Sequence, residues 1–380
     1  MRIGILTYHK SLNNGSALQA YALKTALHNM GYDVEIIDYT PEKYNEIYGL
    51  IATYGNRSLK SKAVLLLKRV FFMDMFLVNQ AKYKEFQKKY MSLSKCKYYY
   101  NSNFELLNEQ YDVLITGSDQ IWNTVCADCD MIFFLPIQHI ARKIAYAPSC
   151  NDTKYYDKKY IDLFHDYDRI SVREEAGKNT LELVCPEKKI KVVADPTLLI
   201  DQDDYKTFDL SRIIQQDYIF LYSVKLSDDV IKAANIMSNA LSLPVYTMVL
   251  FPRFGIISTL KKNKIKYKRY HNSPIDFLRY IKYAKFIITD SFHGTAFSTI
   301  FNKPFYSIKL KVDHKIEKDE RIYTILEKLG LKERYVSVEE LLKDKNKHFG
   351  IDFKDINDNR KSYVMDSLEW LRNSVEGNEE

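Results

Sequence analysis

The sequence predicts an α/β protein built from two parallel-sheet domains. Three observations carry that reading. Short apolar runs of strand type alternate with segments whose apolar residues recur at helical spacing. Gly and Pro are scarce, 12 and 9 in 380 residues, which argues against a loop-rich all-β design. The chain is longer than one hydrophobic core usually serves, and 46% hydrophobic residues are enough for two.

The first strand is expected over Ile3–Thr7. A polar loop, Ser11-Leu12-Asn13-Asn14-Gly15-Ser16, leads to a helix over Ala17–Met30, with Leu18, Tyr21, Ala22 and Ala26 at helical spacing and Gly31 as the stop. Val34–Tyr39 completes a βαβ unit, which builds parallel sheets. Residues 41–100 interrupt the alternation. Within them Lys60–Tyr90 reads as one or two lysine-rich helices with a heavy apolar stripe, suited to core packing or, alternatively, to lying on a membrane surface. Strands resume at Asp112–Thr116, Lys143–Ala147, Arg169–Arg173 and Lys191–Ala194, with a helix over Glu174–Leu183. Asp195-Pro196 closes the last strand, because proline cannot continue a central ladder.

Asp201–Asp217 is polar and reads as a linker. The pattern then restarts, with strands at Tyr218–Ser223, Pro244–Met248, Phe286–Thr289 and Phe305–Ile308. Helices are expected at Asp228–Leu241, Pro274–Ala284, Gly294–Phe301, Tyr323–Leu329, Val338–Leu342 and Asn357–Ser374. The expected organisation is a first domain over 1–200 with a helical insertion at 41–100, a linker at 201–216, a second α/β domain over 217–355, and a C-terminal helix and tail over 356–380. Two such domains facing each other form a cleft, a favoured place for a small-molecule site.

The net charge is +7, and the excess does not read as one long Lys/Arg block. No nucleic-acid motif occurs, so an anionic small substrate, an anionic membrane surface or a plain solvated surface suits this balance. Five cysteines form an odd, sparse set that is no disulfide framework, and Cys126-Ala-Asp-Cys129 lacks the second pair of a structural zinc site, so no metal is expected. The N-terminus enters a strand without a secretory signal, and Ala63–Val78 is broken by Lys68, Arg69 and Asp74. The expected location is the cytoplasm, with peripheral contact at the inner membrane face as a further expectation.

Four loops at carboxyl ends of the expected strands carry polar residues. In Thr289-Asp290-Ser291-Phe292-His293-Gly294-Thr295 an apolar strand turns directly into a helix. Ser291 suits a cap, Gly294 a close backbone approach to a ligand, the helix start an anion, and His293 proton transfer near neutral pH. The competing reading of His293 is a buried histidine at a helix start. Gly117-Ser118-Asp119-Gln120-Ile121-Trp122-Asn123 brings together a hydroxyl, a carboxylate, two amides and an indole, a mixture suited to a sugar; the plain alternative is a tryptophan plugging the core. Asn13-Asn14-Gly15-Ser16 is an anion or sugar loop, or simple turn chemistry. Arg173, just past a strand, suits carboxylate or phosphate, or an internal ion pair with Glu174 or Glu175.

Together these motifs resemble the polysaccharide pyruvyl transferase family. The resemblance runs through Asn14-Gly15, Leu18-Gln19-Ala20, Thr116–Asn123, Ser171-Val172-Arg173-Glu174, Ala194-Asp195-Pro196-Thr197 and Thr289–Ser298 to Arg321 and Leu326. It implies a GT-B-like fold of two Rossmann-like domains. It also implies transfer of pyruvate from phosphoenolpyruvate, a co-substrate, to two hydroxyls of one sugar in a surface polysaccharide or its lipid-linked precursor, forming a cyclic ketal; no cofactor is implied. His293 and Arg173 would be the catalytic residues. Ser291, Gly294 and Thr295 would bind the donor anion, and Asn14, Gly15, Ser118, Asp119, Gln120 and Trp122 the acceptor sugar. Many family members carry an arginine two residues before the histidine, where this chain has Ser291; Arg321 and Lys225 are the candidates to supply the missing cation. The competing functions are a group transferase using a nucleotide-sugar donor and a non-catalytic glycan-assembly protein.

Overall fold

A computed structural model describes residues 1–49, 70–137, 141–150, 154, 156–223, 226–250, 252, 254–313, 315–343 and 350–378. The chain divides into two compact units. The first comprises Met1–Lys62, Lys84–Ile200 and Ser362–Glu380, and the second Ala63–Tyr83 and Asp201–Lys361.

The first unit is organised on a seven-stranded sheet. Its strands are β1 (Arg2–Leu6), β2 (Asp33–Thr40), β3 (Leu93–Tyr99), β4 (Val113–Thr116), β6 (Arg142–Ala145), β8 (Arg169–Val172) and β9 (Ile190–Val192), in the order β3-β2-β1-β4-β6-β8-β9. Every neighbouring pair is parallel. A separate parallel pair, β5 (Asp119–Trp122) and β7 (Pro148–Cys150), lies beyond the ends of β4 and β6. The second unit carries β10 (Ile219–Tyr222), β11 (Val245–Thr247), β12 (Lys266–Tyr267), β13 (Phe286–Thr289), β14 (Phe305–Ile308) and β17 (Tyr335–Val336), in the order β12-β11-β10-β13-β14-β17 and again all parallel. A small antiparallel hairpin, β15 (Lys311–Val312) and β16 (Lys315–Ile316), stands apart. The α/β class is thus as expected. The central strands β4, β10 and β13 are buried along their whole length, which is why they read as continuous apolar runs without polar alternation.

Each sheet starts in its middle, runs outward to one edge, then returns to the other side of the first strand. This leaves a topological switch point between β1 and β4, and another between β10 and β13. Ligands of open parallel sheets bind outside the carboxyl ends of strands at such points.

Several boundaries differ from expectation for local reasons. Helix α1 begins at Asn14 and runs to Asn29, because the Asn13 side chain accepts hydrogen bonds from the amides of Gly15, at 2.9 Å, and Ser16, at 3.4 Å. Asn14 and Gly15 therefore belong to a first helical turn, not to a loop. The stretch expected as a linker contains Tyr205, fully buried against Phe297 with ring centroids 5.5 Å apart, so it packs in the second unit. Helix α2 spans Tyr44–Tyr48, and α3 spans Met73–Tyr90; residues 60–69 of the expected helical stretch lie outside the described residues. The C-terminal helix, Lys354–Glu376, contributes to both units. Arg360 donates to the carbonyl of Thr299 at 2.7 Å in the second, whereas Trp370 is buried beside Tyr146 and Ser367 Oγ accepts from the amide of Ala194 at 2.9 Å in the first. No helix among the described residues is long and apolar enough to cross a membrane.

Candidate functional site

In the second unit, β13 ends at Thr289 and the chain turns within two residues into a nine-residue helix, Phe292–Ile300. Ser291 caps it, its hydroxyl accepting from the amide of Gly294 at 3.5 Å. The turn is tied to the sheet through Thr289 Oγ1, which donates to the carbonyl of Tyr222 at 2.7 Å and accepts from the amide of Ser291 at 3.0 Å. Gly294 is required by packing: a Cβ there would lie 2.1 Å from Thr289 Oγ1. The close approach expected at this glycine is thus to the protein's own strand. Thr295 is fully buried, sharing a 2.7 Å hydrogen bond with Ser307 and donating to the carbonyl of Ser291. That placement does not match a donor-contacting role for Thr295.

His293 occupies the first turn of this helix, 7% exposed, with its ring edge-on to Phe292. The imidazole therefore stands at the positive end of the helix dipole, at the switch point of the second sheet. Across that switch point Ser223, beyond β10, donates to Asp290, beyond β13, at 2.8 Å. Arg321 lies in the first turn of the helix Glu320–Lys328, partly exposed and held by Asp319 through contacts of 3.0 and 2.6 Å. Burial alone would raise the Asp319 carboxyl, but the Arg321 guanidinium outweighs it and holds it below the ordinary value. Lys225 lies outside the described residues.

In the first unit the carboxyl ends of β1, β4, β6, β8 and β9 meet in a buried polar network. Gln19, on α1, donates to Thr7 Oγ1 at 2.8 Å and accepts from the amide of Ser118 at 3.1 Å, joining the two sides of the switch point. Ser16 bonds Asp119. Ser118 Oγ donates to the carbonyl of Ala147 at 2.6 Å, and 3.4 Å separates it from Asp195. Gly117 adopts a φ of +129°, and a Cβ there would meet the carbonyl oxygen of Tyr146 at 2.0 Å. Arg173 sits at the centre, its side chain 1% exposed. It donates to Asp195 at 2.9 Å and to Ser149 Oγ, with Glu174 at 3.8 Å and Asp119 at 3.9 Å. One guanidinium thus faces three carboxylates. Arg173 is held in an internal ion-pair network, chiefly with Asp195 rather than the Glu174 or Glu175 expected as its ion-pair partners.

Trp122 also departs from its expected role. The indole is fully buried, donates to the carbonyl of Phe133 at 3.0 Å, and has Phe134, Phe164 and Tyr167 packed around it, so no face remains for a sugar. Asn14, Gly15 and Ser118 are likewise buried in the framework, and Asp119 is nearly so; Gln120 is half-buried. Sequence reasoning missed a narrow pocket beside the β1 loop, lined by Tyr8, Tyr44, Tyr48, Lys10, Ser11 and Asp128. Tyr48 donates to Asp128 at 2.8 Å. Lys10 and His9, which also lines the pocket, both bond Asp38; burial pushes that carboxyl upward, but these partners prevail and hold it at about 2. The adjacent His-Lys pair directly after the first strand was the available signal. Among the described residues no group of three or more His, Cys, Asp or Glu is placed to hold a metal. The cysteines are free thiols, and burial raises Cys129 to about 12.

The family model for polysaccharide pyruvyl transferase matches residues 13–311. No curated protein sequence matches the chain. Among solved structures it is similar to a putative UDP-N-acetylglucosamine 2-epimerase from Listeria monocytogenes, with a TM-score of 0.53 and 10% identity over 98% of this chain and 95% of that one. It is also similar to UDP-GlcNAc 2-epimerase from Methanocaldococcus jannaschii, with a TM-score of 0.50 and 17% identity over 97% of this chain and 100% of that one. At such identities the likeness shows the fold, that of GT-B enzymes.

Proposed function

The chain belongs to the polysaccharide pyruvyl transferase family, and on that premise we propose that it transfers pyruvate from phosphoenolpyruvate to two hydroxyls of one sugar in a surface polysaccharide or its lipid-linked precursor. The observation that carries this reading is the family match across residues 13–311. The placement of an imidazole in the first turn of the helix after β13 supports it.

In the proposed reaction, imidazolium His293 gives a proton to the methylene carbon of phosphoenolpyruvate, which becomes a methyl group. The central carbon takes on oxocarbenium character. One sugar hydroxyl attacks it and loses its proton to the now neutral imidazole. The carbon–oxygen bond to phosphate then breaks, the second hydroxyl attacks the same carbon, and its proton leaves with phosphate. Two carbon–oxygen bonds form and one breaks, giving the ketal and inorganic phosphate. The helix dipole favours the anionic donor beside His293, and Arg321 supplies a nearby-helix cation on release from Asp319. Lipid-linked acceptors would bring the protein to a membrane surface.

The test is phosphate release and a pyruvate mass increment on lipid-linked and soluble glycans, for the parent and His293→Gln. Loss of a proton-transfer group should lower turnover ~10²–10⁴-fold, with the thermal midpoint unchanged. Full turnover by His293→Gln refutes the role of the histidine. Thermal stabilisation by nucleotide sugars but not by phosphoenolpyruvate supports a nucleotide-sugar transferase instead, and glycan binding without turnover supports an assembly protein.

A further inference from the structure

The positive charge of the chain is unevenly placed. Residues 230–275 contain eight lysines and arginines and no aspartate or glutamate, one cation more than the whole net surplus of +7. Five of them, Lys261, Lys262, Lys264, Lys266 and Lys268, lie at the end of the helix Phe254–Lys262 and along β12, the edge strand of the second sheet. All five are exposed, and among the described residues none has a carboxylate partner, whereas the adjacent Arg269 is paired with Asp74. Carboxylates normally intersperse a solvated basic surface; here a lobe of one sign stands uncompensated.

The same helix carries a second, independent feature. Leu260 faces the core, but Phe254, Ser258, Lys261 and Lys262, spaced i, i+4, i+7 and i+8, form its exposed stripe. Phe254 is 45% exposed, and Phe71, 61% exposed, packs on it with ring centroids 5.0 Å apart. Val70 beside them is 54% exposed. A cluster of exposed aromatic and aliphatic side chains, continuous with unpaired lysines on one helix face, has the chemistry of a surface that enters the headgroup layer of a bilayer. Lysines suit such a layer because their stems lie along apolar surface while the ammonium groups reach phosphate.

We propose that this face of the second unit docks on an anionic phospholipid bilayer, with Phe71 and Phe254 inserted and the lysines of residues 261–268 against the headgroups. It deepens the reading of a lipid-linked acceptor and draws its purpose from that reading. Its test needs neither donor nor turnover, so the two fail separately. The full chain is sedimented with vesicles of phosphatidylcholine alone and of phosphatidylcholine with phosphatidylglycerol. Binding should require the anionic lipid and weaken with salt. Neutralising one lysine should weaken it about fivefold, and the triple variant Lys261→Gln/Lys262→Gln/Lys264→Gln about a hundredfold. Phe71→Ser/Phe254→Ser should weaken it about tenfold, with circular dichroism verifying the fold of both. Equal binding to neutral vesicles, or no loss in the lysine variant, overturns the proposal. So does tighter binding to duplex DNA than to the vesicles, unaffected by the phenylalanine changes, which would assign the face to a soluble polyanion.

Discussion

Arg173→Met separates a framework arginine from one that touches substrate. The parent guanidinium is 1% exposed and lies 2.9 Å from Asp195, with Ser149 as its second acceptor. Methionine keeps most of the volume and removes the charge, leaving buried carboxylates with no cation. Breaking a buried ion pair from one side costs ~3–5 kcal/mol, which in a unit of this size lowers the midpoint of thermal unfolding by about 10 °C. The sign of the pH dependence is also set. Without the cation, the folded-state pKa of Asp195 and its neighbours rises above the unfolded value, and the folded state binds more protons than the unfolded chain. The deficit of the variant therefore shrinks as pH falls from about 8 to about 5, and widens in the other direction. Urea unfolding followed by circular dichroism at both pH values measures this. A variant as stable as the parent at both, but inactive, would refute the framework assignment and return Arg173 to the substrate.

Two further outcomes follow from the geometry. Gly294→Ala forces a methyl group onto Thr289 Oγ1, which already bonds Tyr222 and Ser291, and should cost ~2–4 kcal/mol. A double-mutant cycle with Thr289→Ala should recover part of that loss, and strict additivity would show that the clash is not the cause. Asp38 is held at about 2, so it contributes ~2 kcal/mol that is present above its unfolded value and lost as pH falls toward about 2. Asp38→Asn should flatten this part of the acid unfolding curve, and identical acid limbs would disprove the linkage.

The inner strands of both sheets were legible because burial on two faces leaves an unbroken apolar run, as in Val113–Thr116 and Phe286–Thr289, whereas the edge strands β3, β12 and β17, short or largely exposed, carry no such run and were not expected. The Ser291 cap was legible because capping is local. What the sequence concealed was partnership at a distance. Arg173 finds Asp195 only when β8 and β9 lie side by side, and neighbouring Glu174 looked the nearer partner. Trp122 seemed an open platform because Phe134 and Phe164, which enclose it, come from other elements. The basic lobe escaped notice because its signature is the absence of acids over a long interval, which no search for a continuous Lys/Arg block detects.

The C-terminal helix bears on how this protein can be cut for study. Its last residues complete the first unit: Trp370 closes over Tyr146, Ser367 satisfies the amide of Ala194, and the carbonyl of Val375 takes a 2.5 Å hydrogen bond from Arg142. Each unit is thus assembled from stretches far apart along the polypeptide. A fragment ending near Ile200 would expose an apolar scar where Trp370 and Leu371 belong. During synthesis, too, the first unit has to wait with that face open until the ribosome has made all of the second.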